Sequence, residues 1–155
     1  MADDALVVRG TDELRARLAG LRNRYPQAQG RMLFNAGEAL RDYMVTNYLS
    51  GQRLRRITGR LAGGFTTRLV ADDTAIVGTA VTYARVQEEG FRGTVSVRSF
   101  MRARVRGGQK EIEVRAHSRQ MNIRPKYYAR DAVRFGAPTA IKAAERQAKL
   151  WLEGR

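Results

Sequence analysis

A chain of 155 residues suits one domain with a real core, and its 43% hydrophobic and 28% charged content belongs to a folded globule, not a disordered tail. Lys plus Arg number 29 against 15 Asp plus Glu, a net charge of +14; nucleic acid, an acidic protein neighbour and plain solubility by charge all stand as readings of that excess. The absence of cysteine excludes a disulfide framework and thiolate chemistry, and no apolar run approaches the roughly 18 to 20 residues that a membrane span needs.

The first eight residues lack the basic and apolar regions of a secretory signal, so none is expected. Leu6-Val7-Val8 reads as a brief extended segment. Gly10-Thr11-Asp12-Glu13 opens a helix, with Thr11 as N-cap and two acids in the first turn, where the helix dipole favours them. Leu14, Leu18 and Leu21 give that helix one apolar stripe. Tyr25-Pro26 is expected to end it and to start a second helix, roughly Gln27 to Leu49, buried through Leu33, Ala36, Leu40, Tyr43 or Met44, and Val45 to Leu49.

Ser50 to Gly64 is a basic, glycine-punctuated connection holding Arg53, Arg55, Arg56 and Arg60 with no acid. Such a loop is either solvated or a contact surface for phosphate or a partner's carboxylates. Gly63-Gly64 is not a phosphate-binding loop, because no strand precedes it and no Gly-Lys-Ser/Thr follows. Phe65, Thr67, Leu69 and Ala71 then alternate as a strand, which Asp72-Asp73 turns back into Ala75–Thr79. Tyr83 to Glu89 reads as two helical turns closed by Gly90.

Thr94 to Ala116 predicts a hairpin with a two-residue turn at Gly107-Gly108. That turn sets Ala103 opposite Ile112 and Met101 opposite Val114, with Arg102 facing Glu113 and Arg104 facing Glu111. The arm either joins the main sheet or projects from it. His117 to Ile123 is expected to be irregular, ending at Arg124-Pro125. Tyr127 to Phe135 and Ala140 to Trp151 are helical, as one kinked helix or two, around Gly136 and Pro138. The whole is a single α+β domain over residues 1–155: two N-terminal helices, an antiparallel sheet with a long β-hairpin, and a C-terminal helix.

Catalytic chemistry leaves no signature. There is no Gly-x-Ser-x-Gly, no Walker or Rossmann glycine pattern and no metal-ligand spacing, and His117 has no second histidine or cysteine to share a metal. Glu88 and Glu89 are helix neighbours pointing about 100° apart, so they cannot face each other as an acid–base pair. No enzyme, cofactor or metal is expected. The hairpin carries one aromatic, Phe100, too few for a single-stranded nucleic-acid stacking platform.

The order of motifs resembles a known group. Two N-terminal helices lead to Thr58-Gly59-Arg60-Leu61; a strand ends in Val77-Gly78-Thr79; Tyr83-Ala84 and Glu88-Glu89-Gly90 follow; Arg124-Pro125-Lys126-Tyr127 leads into the last helix. This order looks like the tail-completion or head–tail joining proteins of tailed bacteriophages, over roughly Gly10 to Leu152. It departs from them at Lys126, which stands between proline and aromatic, and in the length of the hairpin. The resemblance implies a virion protein made in the host bacterial cytoplasm. It would form a hexamer-like ring with neighbouring neck or tail proteins, with DNA a candidate occupant of the lumen and no membrane involved. The contact residues expected are Arg53, Arg55, Arg56, Arg60, Arg92, Arg98, Arg106, Lys110, Arg119 and Arg124, meeting a neighbour's acidic patch of Asp72, Asp73, Glu88 and Glu89. The alternative is a basic DNA- or RNA-binding protein using the Arg53–Arg60 loop and the hairpin.

Overall fold

The spine of the protein is one helix, α1 (Thr11–Met44), of 34 residues. The structure, a computed structural model, describes residues 11–54, 58–103 and 111–153. The extended segment expected at Leu6–Val8 lies outside them. The expected helix break at Tyr25-Pro26 does not occur, since Pro26 sits inside α1. A mid-helix proline forfeits one backbone bond and costs about 3 kcal/mol. Packing against α4 (Tyr128–Leu152) continues on either side of it and offsets that cost. Tyr25 meets Trp151 edge-on with ring centres 6.2 Å apart, and Asn35 Nδ2 donates to Gln147 Oε1 at 2.9 Å.

The two long helices are antiparallel and touch most closely at Gly136. A Cβ there would lie 2.7 Å from Tyr43 Cδ1 and 3.0 Å from Leu40 Cδ1. Gly136 and Pro138 thus lie within one continuous α4. Because α4 ends beside Tyr25, the first four turns of α1 extend past it. Of the apolar stripe Leu14, Leu18 and Leu21, the first two are exposed and Leu21 is half-buried.

After Met44 the chain widens into a π-turn, Val45–Leu49, where an α-helix is expected to continue. Side chains collect the carbonyls at this loosened end: Asn47 Nδ2 donates to Tyr43 O, Ser50 Oγ to Val45 O and Gln52 Nε2 to Thr46 O. The turn places Tyr48 and Leu49 side by side in the core with Met44, Phe65, Tyr128 and Ala132. Phe65 and Tyr128 pack edge to face at 6.1 Å.

A short helix, α2 (Arg60–Gly63), leads into β1 (Phe65–Ala71), which pairs antiparallel with β2 (Thr74–Thr79). Phe65 stands opposite Thr79 and Thr67 opposite Val77, about the expected Asp72-Asp73 turn. The β1–β2 face lies on α1 at two glycines one heptad apart. A Cβ at Gly37 would come 2.5 Å from Thr67 Cγ2, and one at Gly30 would come 3.3 Å from Leu69 Cδ1. α3 (Ala84–Glu89) follows and ends at Gly90, whose φ of 80° suits glycine.

Beyond Gly90 the chain forms a ribbon. β3 (Phe91–Val97) pairs with β6 (His117–Ile123), and β4 (Phe100–Ala103) pairs with β5 (Glu111–Val114). Two expectations are corrected here. His117–Ile123 is a strand, not an irregular connection, so the hairpin runs the full distance from Phe91 to Ile123. Its register is one residue off the expected one: Met101 faces Glu113, Arg102 faces Ile112 and Phe100 faces Val114. The cause lies at the base. The β3–β6 register carries straight through into β4–β5 and leaves an odd number of residues, 104–110, to close the loop. A two-residue turn needs an even one. The predicted Gly107-Gly108 turn and the Arg104–Glu111 pairing involve residues outside those described. The fold is α+β: an N-terminal helix, small antiparallel sheets and a C-terminal helix.

Candidate assembly surfaces

Three of the expected contact residues are engaged inside the chain. Arg53 forms an ion pair with Asp131 at 2.5 Å, donates to Lys126 O at 3.0 Å and stacks its guanidinium 4.7 Å from the centre of the Tyr48 ring. Asp131 is 8% exposed, and the Arg53 hydrogen bond holds its carboxyl below the ordinary aspartate range, against the opposing effect of burial and with help from Arg130. Arg53 therefore ties the Ser50–Gly64 connection to the start of α4.

Glu88 has a structural task as well. Its two oxygens accept the backbone N–H groups of Ala129 and Arg130, both at 2.9 Å, which caps α4 from a neighbouring element. It offsets an unusual entry: Tyr127 before the helix has φ 49°, ψ 33°, a left-handed conformation rare for a tyrosine, with Arg130 over its ring at 3.8 Å. Lys126 N–H donates to Gln87 O and Tyr127 N–H to Glu88 O, which fixes the same junction. Tyr128 Oη donates to Ala84 O at 2.9 Å. Burial, with lesser contributions from Glu88 and Tyr83, pushes its pKa up to about 12. Glu89 is exposed and paired with Arg85 at 2.8 Å.

The expected four-carboxylate patch does not assemble. Asp72 and Asp73 turn β1 into β2 beside Pro26 and Gln27 of α1, whereas Glu88 and Glu89 lie by the N-terminus of α4, near the other end of α1. Some 17 residues of helix, about 26 Å, separate the two levels.

The remaining basic residues stay outward. Arg60 begins α2 and is exposed. Arg92, Arg98, Arg102, Arg119 and Arg124 are exposed along the ribbon and just beyond it. None of these six is ion-paired among the described residues. Arg55, Arg56, Arg106 and Lys110 lie outside those residues.

Two further features have no signature in the spacing of the sequence. The first is the ribbon tip, where Phe100, Met101 and Ile112 are about half exposed (49, 56 and 50%). The second is a groove of about 720 Å³ between α1 and β1, with Phe34, Leu69 and Val70 in its wall, Asp72 at its end and Arg31 on the helix side. Its apolar residues are themselves exposed, at 39, 44 and 57%. A break in the strand register between Leu69 and Ala71 accompanies the turn of consecutive residues toward one groove.

Among the described residues no group of three or more His, Cys, Asp or Glu could hold a metal ion, and no helix is long and apolar enough to cross a membrane. Comparison with family models, curated proteins and solved structures returns no match.

Proposed function

We propose that this chain is a non-enzymatic structural subunit of a phage-like virion, forming a ring at the head–tail junction or the tail end. The observation that carries the reading is the uncovered arm. A two-stranded ribbon has only marginal stability alone, and among the described residues this one leaves both strand edges open and apolar side chains exposed toward its tip. Such a feature is a liability for a solitary protein and an asset where the next subunit covers it. The motifs behind the resemblance also fall at element junctions. Gly59 precedes α2 with φ 71°, Val77-Gly78-Thr79 ends β2, Glu88-Glu89-Gly90 closes α3, and Arg124-Pro125 leads into α4.

The second reading, a DNA- or RNA-binding protein, is favoured by the outward arginines on the ribbon, since a two-stranded β-ribbon fits the major groove of DNA. Mass photometry and sedimentation of the concentrated protein separate the two. A ring subunit gives a discrete, hexamer-like closed species. A strict monomer at every concentration, binding duplex DNA with an affinity that falls steeply with salt, overturns the ring reading in favour of the second.

A further inference from the structure

The ribbon tip has two unlike faces, and the observed register makes them so. Successive residues of a strand point to opposite sides, and directly opposed partners share a side. Phe100, Val114, Arg102 and Ile112 therefore share one face, while Met101 and Glu113 belong to the other. The first face is apolar with a cation and, among the described residues, no acid. With the expected register, Arg102 would face Glu113 and this combination would not exist.

The α1–β1 groove is its complement: an apolar wall of Phe34, Leu69 and Val70 with Asp72 at the end. Asp72 is exposed and, among the described residues, makes neither a hydrogen bond nor an ion pair. Asp73, next to it, accepts among the described residues only from the Thr74 hydroxyl, at 2.9 Å. Among the described residues, Arg31 is the one charge in the lining that opposes a basic visitor, and its long stem lets the guanidinium turn to water. The arm leaves the body at Gly90, beside the start of α4, whereas the groove borders Gln147, about 28 Å further along that helix.

We propose that the Phe100–Arg102–Ile112 face of one copy seats in the α1–β1 groove of the next, Phe100 and Ile112 against Phe34 and Val70 and Arg102 against Asp72. The contact joins two different patches, so it repeats head to tail and closes when the rotation per copy permits. It rests on the ring reading and names the partner of the arm as a second copy of this chain. Charge and apolar burial together favour that occupant over nucleic acid, because phosphates would neutralise Arg102 but leave Phe100 and Ile112 in water.

The absence of native cysteine makes the test direct. Copies carrying Ile112→Cys are mixed with copies carrying Val70→Cys and mildly oxidised, with Val133→Cys, exposed on α4, as the control partner. The mixed disulfide is expected with Val70→Cys at least tenfold above the control. In parallel, Asp72→Arg should weaken self-association at least tenfold, and adding Arg102→Asp should restore it. If the wild type assembles but cross-linking is equal for both partners and the charge swap does not rescue, the arm does not enter the groove, and the ring is held by another contact. If assembly is intact in Arg102→Asp while retention on duplex DNA is lost, the occupant is nucleic acid. A wild type that never self-associates overturns the contact and the ring reading together.

Discussion

The two hairpins of this protein are built alike and placed differently. β1–β2 lies along α1, seated by Gly30 and Gly37, so a core selects which side of each strand faces inward. The ribbon from β3 to β6 is joined to the body at its base and, among the described residues, has no helix beneath its outer strands. Register is strongly specified where one face is buried and weakly where neither is. The alternation of Phe65, Thr67 and Leu69 therefore locates the first hairpin correctly from sequence. In the second, the appeal of matching Arg102 with Glu113 is overruled by a register set at Phe91 and Ile123.

The largest expected effect lies on the body side of that contrast. Tyr128 is 2% exposed between Phe65 and the α3 backbone, so Tyr128→Ala should lower unfolding free energy by about 3–5 kcal/mol in urea titration. Helices and β1–β2 should melt together. A variant as stable as the wild type would mean that this cluster does not hold the body.

Gly90→Ala acts at the seam. The new Cβ would sit 2.7 Å from Ile123 O and 2.9 Å from Pro125, at a positive φ, for a cost of about 1–3 kcal/mol. Hydrogen exchange should speed up in Phe91–Val97 while β1–β2 retains its protection. Equal loss in both hairpins would show that arm and body are one cooperative unit.

Asp131 gives the smallest effect, read from how stability changes with pH in acid. Its folded pKa is depressed, so the stability it contributes is complete above the unfolded value of about 3.9 and is lost as pH falls through the folded one. Thermal melts from neutral pH downward should show this acid limb flattened in Asp131→Asn, with exchange in the ribbon unchanged at neutral pH. Identical acid limbs would mean that the Arg53 pair does not persist in solution.

The sequence reveals element types more readily than element ends. The β1–β2 turn, α3 with its Gly90 stop and the final helix follow from local chemistry. Pro26 misleads because its cost is met by α4, more than a hundred residues away, which no local signal reports. The site divides on the same line. Arg53 and Glu88 look like free charges in a basic loop and an acidic helix end. Only the fold brings Asp131 to the one and the α4 amides to the other. The groove was illegible for a like reason, since Phe34 and Val70 meet only when α1 and β1 are packed.

The ladder of the arm closes on itself at Phe91 and Ile123, and the hydrogen bonds Lys126–Gln87 and Tyr127–Glu88 join the chain immediately outside it. Among the described residues, the strands between Phe91 and Ile123 thus pair only with one another, as an excursion nested between α3 and α4. Residues added to or removed from it in register-preserving pairs leave the scaffold unaltered. The arm is thus separable in sequence from the domain that carries it.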